Sequence, residues 1–391
     1  MIYLDYLATT PCDPRVVEAM LPWFTQDFGN AGSLHAPGRK AAEAVARARA
    51  QVAGLLGVTA EEIIFTSGAT EANNLAIKGV ARYRRPGAPG PETPRRRIVT
   101  LATEHKCVLQ TVTDLEKEGF EPCVLGVGAD GRVDEEAFRQ ALEVPTLLVS
   151  VMAANNETGV IQNQDVLAAM AREAGATVHS DLAQAAGKVP LSLAGHDLAS
   201  VSGHKLYGPK GIGVLYVRRR PRVRLQPLFS GGGQERLLRS GTLPVPLVVG
   251  MGRAAELMRE EGAAEAVRLA RLRERLLQGL RVHWPHLRVN GTGTENSSPL
   301  PQLPGALNVC LGERGPPARA LLEAVPEVAA SLGSACTAGS GASSYVLRAM
   351  GLSEARAQRS LRLSVGRFTS EDEIDRAVAM LGAAFSRISG S

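Results

Sequence analysis

The chain has 391 residues, of which 45% are hydrophobic, and its formal net charge at pH 7 is +5. This length and composition predict an ordinary soluble globular protein with a large core, which needs no disulfide or structural metal for stability. The five cysteines include no Cys-x-x-Cys pair, which argues against a zinc site and favours a reducing compartment. No signal-peptide pattern or long apolar run is present, so we expect a cytoplasmic protein without a membrane contact.

Two arginine-rich segments, 95–97 and 218–224, concentrate positive charge locally. Neither is interleaved with aromatic residues, which make up only 4% of the chain. Because base stacking needs aromatic platforms, solvated loop ends are favoured over an RNA-binding face. We therefore expect no nucleic-acid partner.

Short apolar runs alternate with helical patterns from about residue 60 onward, after a short strand at the N-terminus. The predicted strands are 63–66, 98–102, 123–127, 147–152, 176–179, 198–201 and 214–217, and the helices between them include 108–118, 134–142 and 165–174. This alternation predicts an α/β fold with a mainly parallel seven-stranded sheet covered by helices. A long helix over about 246–282 then leads to a smaller C-terminal α+β region with strands 307–311 and 361–365 and helices 345–350 and 371–388.

One lysine, Lys205, occupies a turn rich in Ser, His and Gly between two predicted strands. Only seven of the 44 basic residues are lysines, so arginine serves at most positions that need only positive charge. A lysine here indicates amine chemistry, because arginine stays charged and cannot form a Schiff base. By itself, a surface lysine is the more common interpretation.

Two glycine-containing turns could hold phosphate groups. Residues 126–131 match the G-x-G-x-x-G dinucleotide pattern, but the next helix opens with Asp134 and two glutamates, whose charges would repel a pyrophosphate. We interpret that segment as an ordinary turn. Residues 66–74 follow a predicted strand and offer small and hydroxyl side chains at a helix start, which fits a phosphate cradle and a plain N-cap equally well.

Polar residues follow several further predicted strands, including His105, Asn155 and Asp181. Each alone would most often be structural. Since all lie at strand ends of one sheet edge, together with Lys205 and the cradle, they fit pyridoxal 5′-phosphate. That cofactor needs a lysine for its aldehyde, a carboxylate for its ring nitrogen, a donor for its phenolate oxygen and a flat stacking partner.

The motifs, taken in order, resemble the cysteine desulfurase family, in the class V branch of the fold-type I pyridoxal-phosphate transferases and in its long-loop Fe–S-assembly type. They are TSGATEANN at 66–74, TEHK at 103–106, ANNETG at 154–159, HSDLAQ at 179–184, SGHKLYGPKGIG at 202–213, GGGQERLLRSGT at 231–242 and SLGSACTAGS at 331–340. The resemblance covers nearly the whole chain. It implies an N-terminal segment 1–13 that packs with the small domain, a large cofactor-binding domain 14–255, and a small domain 256–391 that carries a catalytic-cysteine loop.

The resemblance also implies a role for each matching residue. Lys205 is the Schiff-base lysine, His105 stacks on the cofactor ring and acts in catalysis, and Cys336 is the nucleophile. The resemblance further implies that Asp181 contacts the ring nitrogen and Gln184 the phenolate oxygen. It implies phosphate contacts from Ala69, Thr70, Ser202 and His204, and a contact from Thr242 to the phosphate of a partner subunit. Asn155 is implied to contact the cofactor, and Asn155 and Arg362 to bind the substrate carboxylate. No resident metal is expected, with Cys336 a candidate transient ligand of an Fe–S cluster.

The residues around Cys336 support its choice over the other four cysteines. It lies in a run of small residues, 333–344, that cannot pack a core, so the thiol is expected to be exposed and able to travel. Cys123 and Cys310 fall in apolar strand patterns typical of inert core thiols. Cys107 reads as a buried residue at a helix start, and Cys12 has no supporting feature.

The implied reaction removes sulfur from L-cysteine, giving L-alanine and a persulfide on Cys336 for Fe–S assembly or another sulfur-transfer pathway. A homodimer and a sulfur-acceptor protein are the implied partners. Two alternatives use much of the same site: a selenocysteine lyase and a class V aminotransferase, which would need no mobile thiol. The chain ends soon after its last helix, without the extension of scaffold-docking relatives, which leaves docking to an Fe–S scaffold open.

Overall fold

The structure is a computed structural model that describes residues 1–83, 95–291, 301–313, 315–333 and 343–389. Its strands are β1 Ile2–Tyr3, β2 Ile63–Thr66, β3 Arg97–Leu101, β4 Glu121–Leu125, β5 Thr146–Ser150, β6 Thr177–Asp181, β7 Leu198–Ser202, β8 Gly213–Val217, β9 Arg288–Val289, β10 Ala306–Cys310, β11 Val328–Ala329 and β12 Ser360–Ser364. Its α-helices are α1 Pro14–Met20, α2 Pro22–Thr25, α3 Ala36–Leu56, α4 Ala69–Tyr83, α5 Lys106–Glu116, α6 Glu135–Ala141, α7 Gln164–Glu173, α8 Val245–His283, α9 Ala318–Glu323, α10 Tyr345–Ala349, α11 Glu354–Gln358 and α12 Glu371–Ser389. Short 3₁₀ helices lie at Ala60–Glu62, Gly203–Lys205 and Glu235–Leu237.

The main sheet confirms the predicted architecture. Over the described ranges it has seven strands in the order β2-β8-β7-β6-β5-β3-β4, and only β8 runs antiparallel to its neighbours. Each predicted strand of this sheet is present, displaced by at most two residues at either end. Because the other six strands run in the same direction, their carboxyl ends meet at one edge.

Both faces of the sheet are covered, as the near-continuous apolar strands require. Alternate residues of β2 separate onto the two faces: Ile63 and Phe65 pack with α3 and α8, and Ile64 packs with α4. Toward the other edge, α6 and α7 cover β3, β5 and β6. The helices α1 to α3, which precede residue 60, were not among the predicted elements.

A second apolar core forms around the small antiparallel sheet β12-β10-β9. It includes Leu276 and Leu280 from the C-terminal half of α8 and Ile374 from α12. Residues from the N-terminus, Ile2 and Leu4, belong to this core, and β1 pairs in parallel with β11. The first residues of the chain are thereby tied to its C-terminal part.

Close backbone contact at the start of β8 requires glycine. A Cβ at Gly213 would lie 2.6 Å from the backbone carbon of Gly68 and 2.7 Å from the Val201 carbonyl oxygen. These neighbours are backbone atoms, so they cannot move away as a side-chain end could. The contact packs the turn before α4 against the strand that follows Lys205.

We expect Gly213→Ala to lower the free energy of unfolding by about 1–3 kcal/mol, the usual cost of overpacking a core. Gly126→Ala is the matched control, because a Cβ there meets nothing within 4 Å. Urea unfolding of both variants measures the difference. Equal stabilities of the two variants would show that the backbone contact at Gly213 is not a constraint.

Candidate active site

A cavity of about 580 Å³ opens at the carboxyl edge of the main sheet. Its walls come from the segments that follow β2, β3, β5, β6 and β7, and from the N-terminal residues 7–9. Nine of the twelve residues predicted for the site line this cavity: Ala69, Thr70, His105, Asp181, Gln184, Ser202, His204, Lys205 and Arg362. The predicted convergence of strand ends is therefore present.

The amine of Lys205 lies inside the cavity, at the end of the 3₁₀ helix that follows β7. It donates hydrogen bonds to the backbone carbonyls of Leu7 and Ala8, the latter at 2.7 Å. Burial, together with the nearby charges of Lys188 and Arg362, lowers the pKa of Lys205 to about 7. In a substantial fraction of the molecules, Lys205 is therefore the nucleophilic free amine near neutral pH.

Asp181 is buried at the end of β6. One carboxylate oxygen accepts a hydrogen bond from the Asn73 amide at 2.7 Å, and the other accepts one from the Ala183 backbone at 2.8 Å. These two donors orient the carboxylate toward the cavity that it lines. Asn73 lies on α4 within the TSGATEANN motif, and no role was predicted for it.

His105 caps the N-terminus of α5. Its Nδ1 accepts a hydrogen bond from the Cys107 backbone at 3.2 Å, so the neutral ring carries its proton on Nε2. Burial lowers the pKa of His105, which keeps the ring neutral. Cys107 was predicted as a buried residue at a helix start. It lies at the start of α5, but its side chain also lines the cavity. Burial raises the pKa of its thiol to about 12.

The end of the cavity formed by the turn 67–70 and the start of α4 suits an anion. The turn 67–70 leads into α4, whose fifteen residues direct backbone N–H groups and the positive end of the helix dipole toward this end. Ser202 and His204 contribute from the end of β7, and Thr9 lies 3.0 Å from the His204 ring. This turn thus combines a helix start with a cavity wall, which favours the phosphate cradle over a plain cap.

Arg362 supplies a buried cation to the cavity wall from β12. It forms a salt bridge with Asp5 at 2.7 Å and donates to the Asn156 carbonyl at 2.9 Å. Its Nε has no hydrogen-bond partner among the described residues although it is buried. The guanidinium therefore keeps unused donor capacity beside the cavity.

Two of the predicted residues, Asn155 and Thr242, do not line this cavity, and a third cannot be placed. Asn155 is buried, and the next residue in the chain, Asn156, lines the wall instead. The Asn155 amide donates to the Thr103 carbonyl and accepts from the backbone of Glu157 and from the backbone and hydroxyl of Thr158. Thr242 is exposed at the surface. Cys336 lies outside the described residues.

Residues 126–131 form a turn, as interpreted from the acidic helix start. Gly128 and Gly131 close the turn through backbone hydrogen bonds, and Asp134 caps α6 by accepting from the Ala137 backbone. This segment does not line the cavity.

Similarity to known proteins identifies the family and the fold. The family model described as aminotransferase class-V matches residues 2–377. The chain belongs to the class-V aminotransferase family. A curated relative from Anaeromyxobacter sp. (strain Fw109-5), named cysteine desulfurase IscS, is 51% identical over 387 residues, covering 97% of this chain and 91% of the relative.

Solved structures of this family superpose over nearly the full chain. A NifS-like protein, 35% identical, aligns with a TM-score of 0.88 and covers 99% of both chains. SspA in complex with cysteine, also 35% identical, aligns with a TM-score of 0.80 over 95% of this chain and all of that one (100%). The predicted fold-type I architecture and family resemblance are confirmed.

Pyridoxal 5′-phosphate is the cofactor of this family, and the cavity fits it. The anion-binding end, the oriented carboxylate of Asp181 and the flat ring of His105 provide three different chemistries that the cofactor requires. The amine of Lys205 provides the fourth. Across the described residues, no helix is long and apolar enough to cross a membrane, and no cluster of metal-ligating side chains is found.

We expect the reactivity of Lys205 toward acetic anhydride, in protein stripped of cofactor, to rise through a midpoint near pH 7. Below that pH the buried amine is mostly protonated and unreactive, and above it the free amine predominates. Pulse acetylation with peptide mass mapping measures the profile, with the exposed Lys117 as internal reference. A midpoint near 10.4, the value of an unperturbed lysine, would contradict the effect of burial.

Proposed function

We propose that this protein is a pyridoxal-phosphate-dependent cysteine desulfurase, which converts L-cysteine into L-alanine and an enzyme persulfide. The observation that carries the proposal is the meeting of Lys205, Asp181, His105 and the phosphate cradle in one cavity. The near full-length identity to a relative named cysteine desulfurase supports the reaction. Sulfur transfer for Fe–S assembly or a related pathway is the role that follows.

Individual residues take the roles that their positions favour. Asp181 pairs with the ring nitrogen, Gln184 faces the phenolate oxygen, and His105 stacks on the ring. The phosphate is bound by the backbone of Ala69 and by the side chains of Thr70, Ser202 and His204, all of which line the cavity. Lys205 holds the cofactor covalently.

Arg362 binds the carboxylate of the substrate. The Nε of its buried guanidinium has no hydrogen-bond partner within the described parts of the chain, and a planar fork of donors matches a carboxylate. The salt bridge to Asp5 keeps the guanidinium in place. Asn155 supports the substrate-carboxylate site indirectly, because its amide organises the turn that presents Asn156 to the cavity.

The bound cofactor supplies an electron sink that weakens the bonds to the substrate α-carbon. Lys205, freed by the substrate amine, carries the α-proton, a task that suits an amine whose pKa lies near 7. The Cys336 thiolate then attacks the substrate sulfur. The S–S bond between Cys336 and the substrate sulfur forms as the carbon–sulfur bond of the substrate breaks. The electron pair of the broken bond stays with the carbon, which takes up a proton, and the product is alanine.

The proposal extends to assembly and location. A homodimer is supported by exposed apolar side chains, among them Phe24, Phe28 and Leu34. The exposed Thr242 would reach the phosphate of the partner subunit. We further propose a cytoplasmic location, a sulfur-acceptor protein as partner, and the domain limits 1–13, 14–255 and 256–391.

We expect Lys205→Ala to lower alanine formation from cysteine on the order of 100- to 10,000-fold, the usual contribution of a positioned acid or base. Lys117→Ala, at an exposed site, serves as control and retains the parent rate. Alanine is quantified by chromatography over time. A Lys205→Ala variant with parental activity would reject the assignment, and faster turnover of selenocysteine than of cysteine by the parent would favour a selenocysteine lyase.

Cys336→Ser is expected to keep the cofactor's visible absorbance band and to lose persulfide formation, because serine cannot accept sulfur. The matched control is Cys123→Ser, a change on the outer strand β4. Persulfide is detected by alkylation and mass mapping after cysteine is added. Alanine release by Cys336→Ser at the parent rate would show that another group accepts the sulfur.

A further inference from the structure

Lys188 is a largely buried lysine to which the proposed mechanism gives no role. It lies in the turn 182–188 that follows β6, where its backbone donates to the Ala185 carbonyl at 3.0 Å. The preceding Gly187, with φ of +70°, packs against α8 so closely that a Cβ on Gly262 would lie 2.5 Å from its carbonyl oxygen. The Lys188 side chain lines a small cavity of about 30 Å³ together with residues of α8.

A chain of hydrogen bonds connects Lys188 with Lys205. The Lys188 ammonium donates to Gln184 Oε1 at 3.4 Å, and Gln184 Nε2 donates to the Leu7 carbonyl at 2.9 Å. The same carbonyl accepts from Lys205. Since an ammonium has only donors, Lys188 fixes the orientation of the Gln184 amide, with its oxygen toward Lys188 and its NH₂ group toward Leu7.

The two lysines also interact through charge. After burial, the charge of Lys188 contributes most to lowering the Lys205 pKa. Arg362 also lowers this pKa, whereas Asp5 and Asp181 raise it. Lys188 also contributes to lowering the pKa of His204. A cationic neighbour in a low-dielectric site is an established means of keeping a reactive lysine unprotonated.

The groups facing Lys188 do not cancel its charge fully. Glu265 on α8 raises the pKa of Lys188 by attraction, although burial lowers that pKa to about 8. This carboxylate is shared, because Tyr207 donates to it at 2.7 Å and Arg367 forms a salt bridge with it at 2.7 Å. The remaining titratable neighbour at the small cavity is Tyr6.

We propose that Lys188 is a positioning residue of this active site: it orients the Gln184 amide and, by like-charge repulsion, keeps Lys205 in its neutral, reactive form. This inference deepens the proposed function and rests on it for the role of Lys205. It predicts that the reactivity of Lys205 depends on a side chain that does not line the active-site cavity.

The test is the acetylation profile of Lys205 in protein stripped of cofactor, compared between the parent and variants at position 188. Lys188→Met should move the midpoint to higher pH and slow Lys205 acetylation near pH 6 by up to about tenfold, the effect of one pKa unit on the free-amine fraction. Lys188→Gln retains an NH₂ donor without the charge and should shift the profile similarly. Lys188→Arg retains charge and donors and should keep the parent profile.

Lys78→Met is the matched control, because Lys78 is also largely buried but pairs with Asp114 away from the cavity. Thermal unfolding establishes that each variant is folded. If Lys188→Met is not folded, Lys188→Gln serves as the neutral variant in its place. An unchanged Lys205 profile in the neutral variant, or an equal shift in Lys188→Arg, would overturn the proposal. Failure of the parent enzyme to form alanine would refute the desulfurase function alone, since the acetylation profile needs no substrate.

Discussion

The buried amine of Lys205 is the constraint on which the site depends. A lysine in a partly desolvated cavity must either find a counter-ion or lose its proton, and here the nearest acceptors are the uncharged carbonyls of Leu7 and Ala8. These carbonyls belong to the N-terminal segment, which is held by pairing of β1 with β11 and by the salt bridge between Asp5 and Arg362. The reactive amine and the cation proposed for the substrate carboxylate are therefore positioned by the same segment.

The acidic groups near the cavity do not offset the burial of Lys205: Asp5 and Asp181 raise its pKa, but burial and the charges of Lys188 and Arg362 lower it more. The carboxylate of Glu71 pairs with Arg239, and Asp181 accepts hydrogen bonds from Asn73 and Ala183. In the proposed binding mode, the turn 67–70 meets the cofactor phosphate and Asp181 meets the ring nitrogen. The proposed site thus combines cofactor binding with activation of the Lys205 amine.

The main sheet and most of its site residues could be predicted from the sequence because two strong signals coincide. The buried parallel strands appear as continuous apolar runs, and the polar residues that follow them, such as His105 and Asp181, must lie at one edge once the strands are parallel. The position of β8 as an antiparallel strand inside the sheet is not encoded in its apolar pattern, which resembles that of its neighbours.

Other contributions could not be predicted, for physical reasons specific to each. The carbonyls of Leu7 and Ala8 are backbone groups, so no side-chain pattern indicates them, and their contact with Lys205 spans 198 and 197 positions. Cys107 looked like a core residue because a small apolar thiol suits both a core and a cavity wall. Lys188 follows a glycine turn typical of the surface, and only the close packing of Gly187 on α8 places it inside.

The attachment point of the cofactor tests the account most directly. Borohydride reduction of the loaded enzyme, followed by proteolysis and mass spectrometry, identifies the lysine that carries the cofactor. We expect the added mass on the peptide containing Lys205, with Lys188 and Lys210 unmodified. A modified Lys188 or Lys210, with Lys205 unmodified, would contradict it.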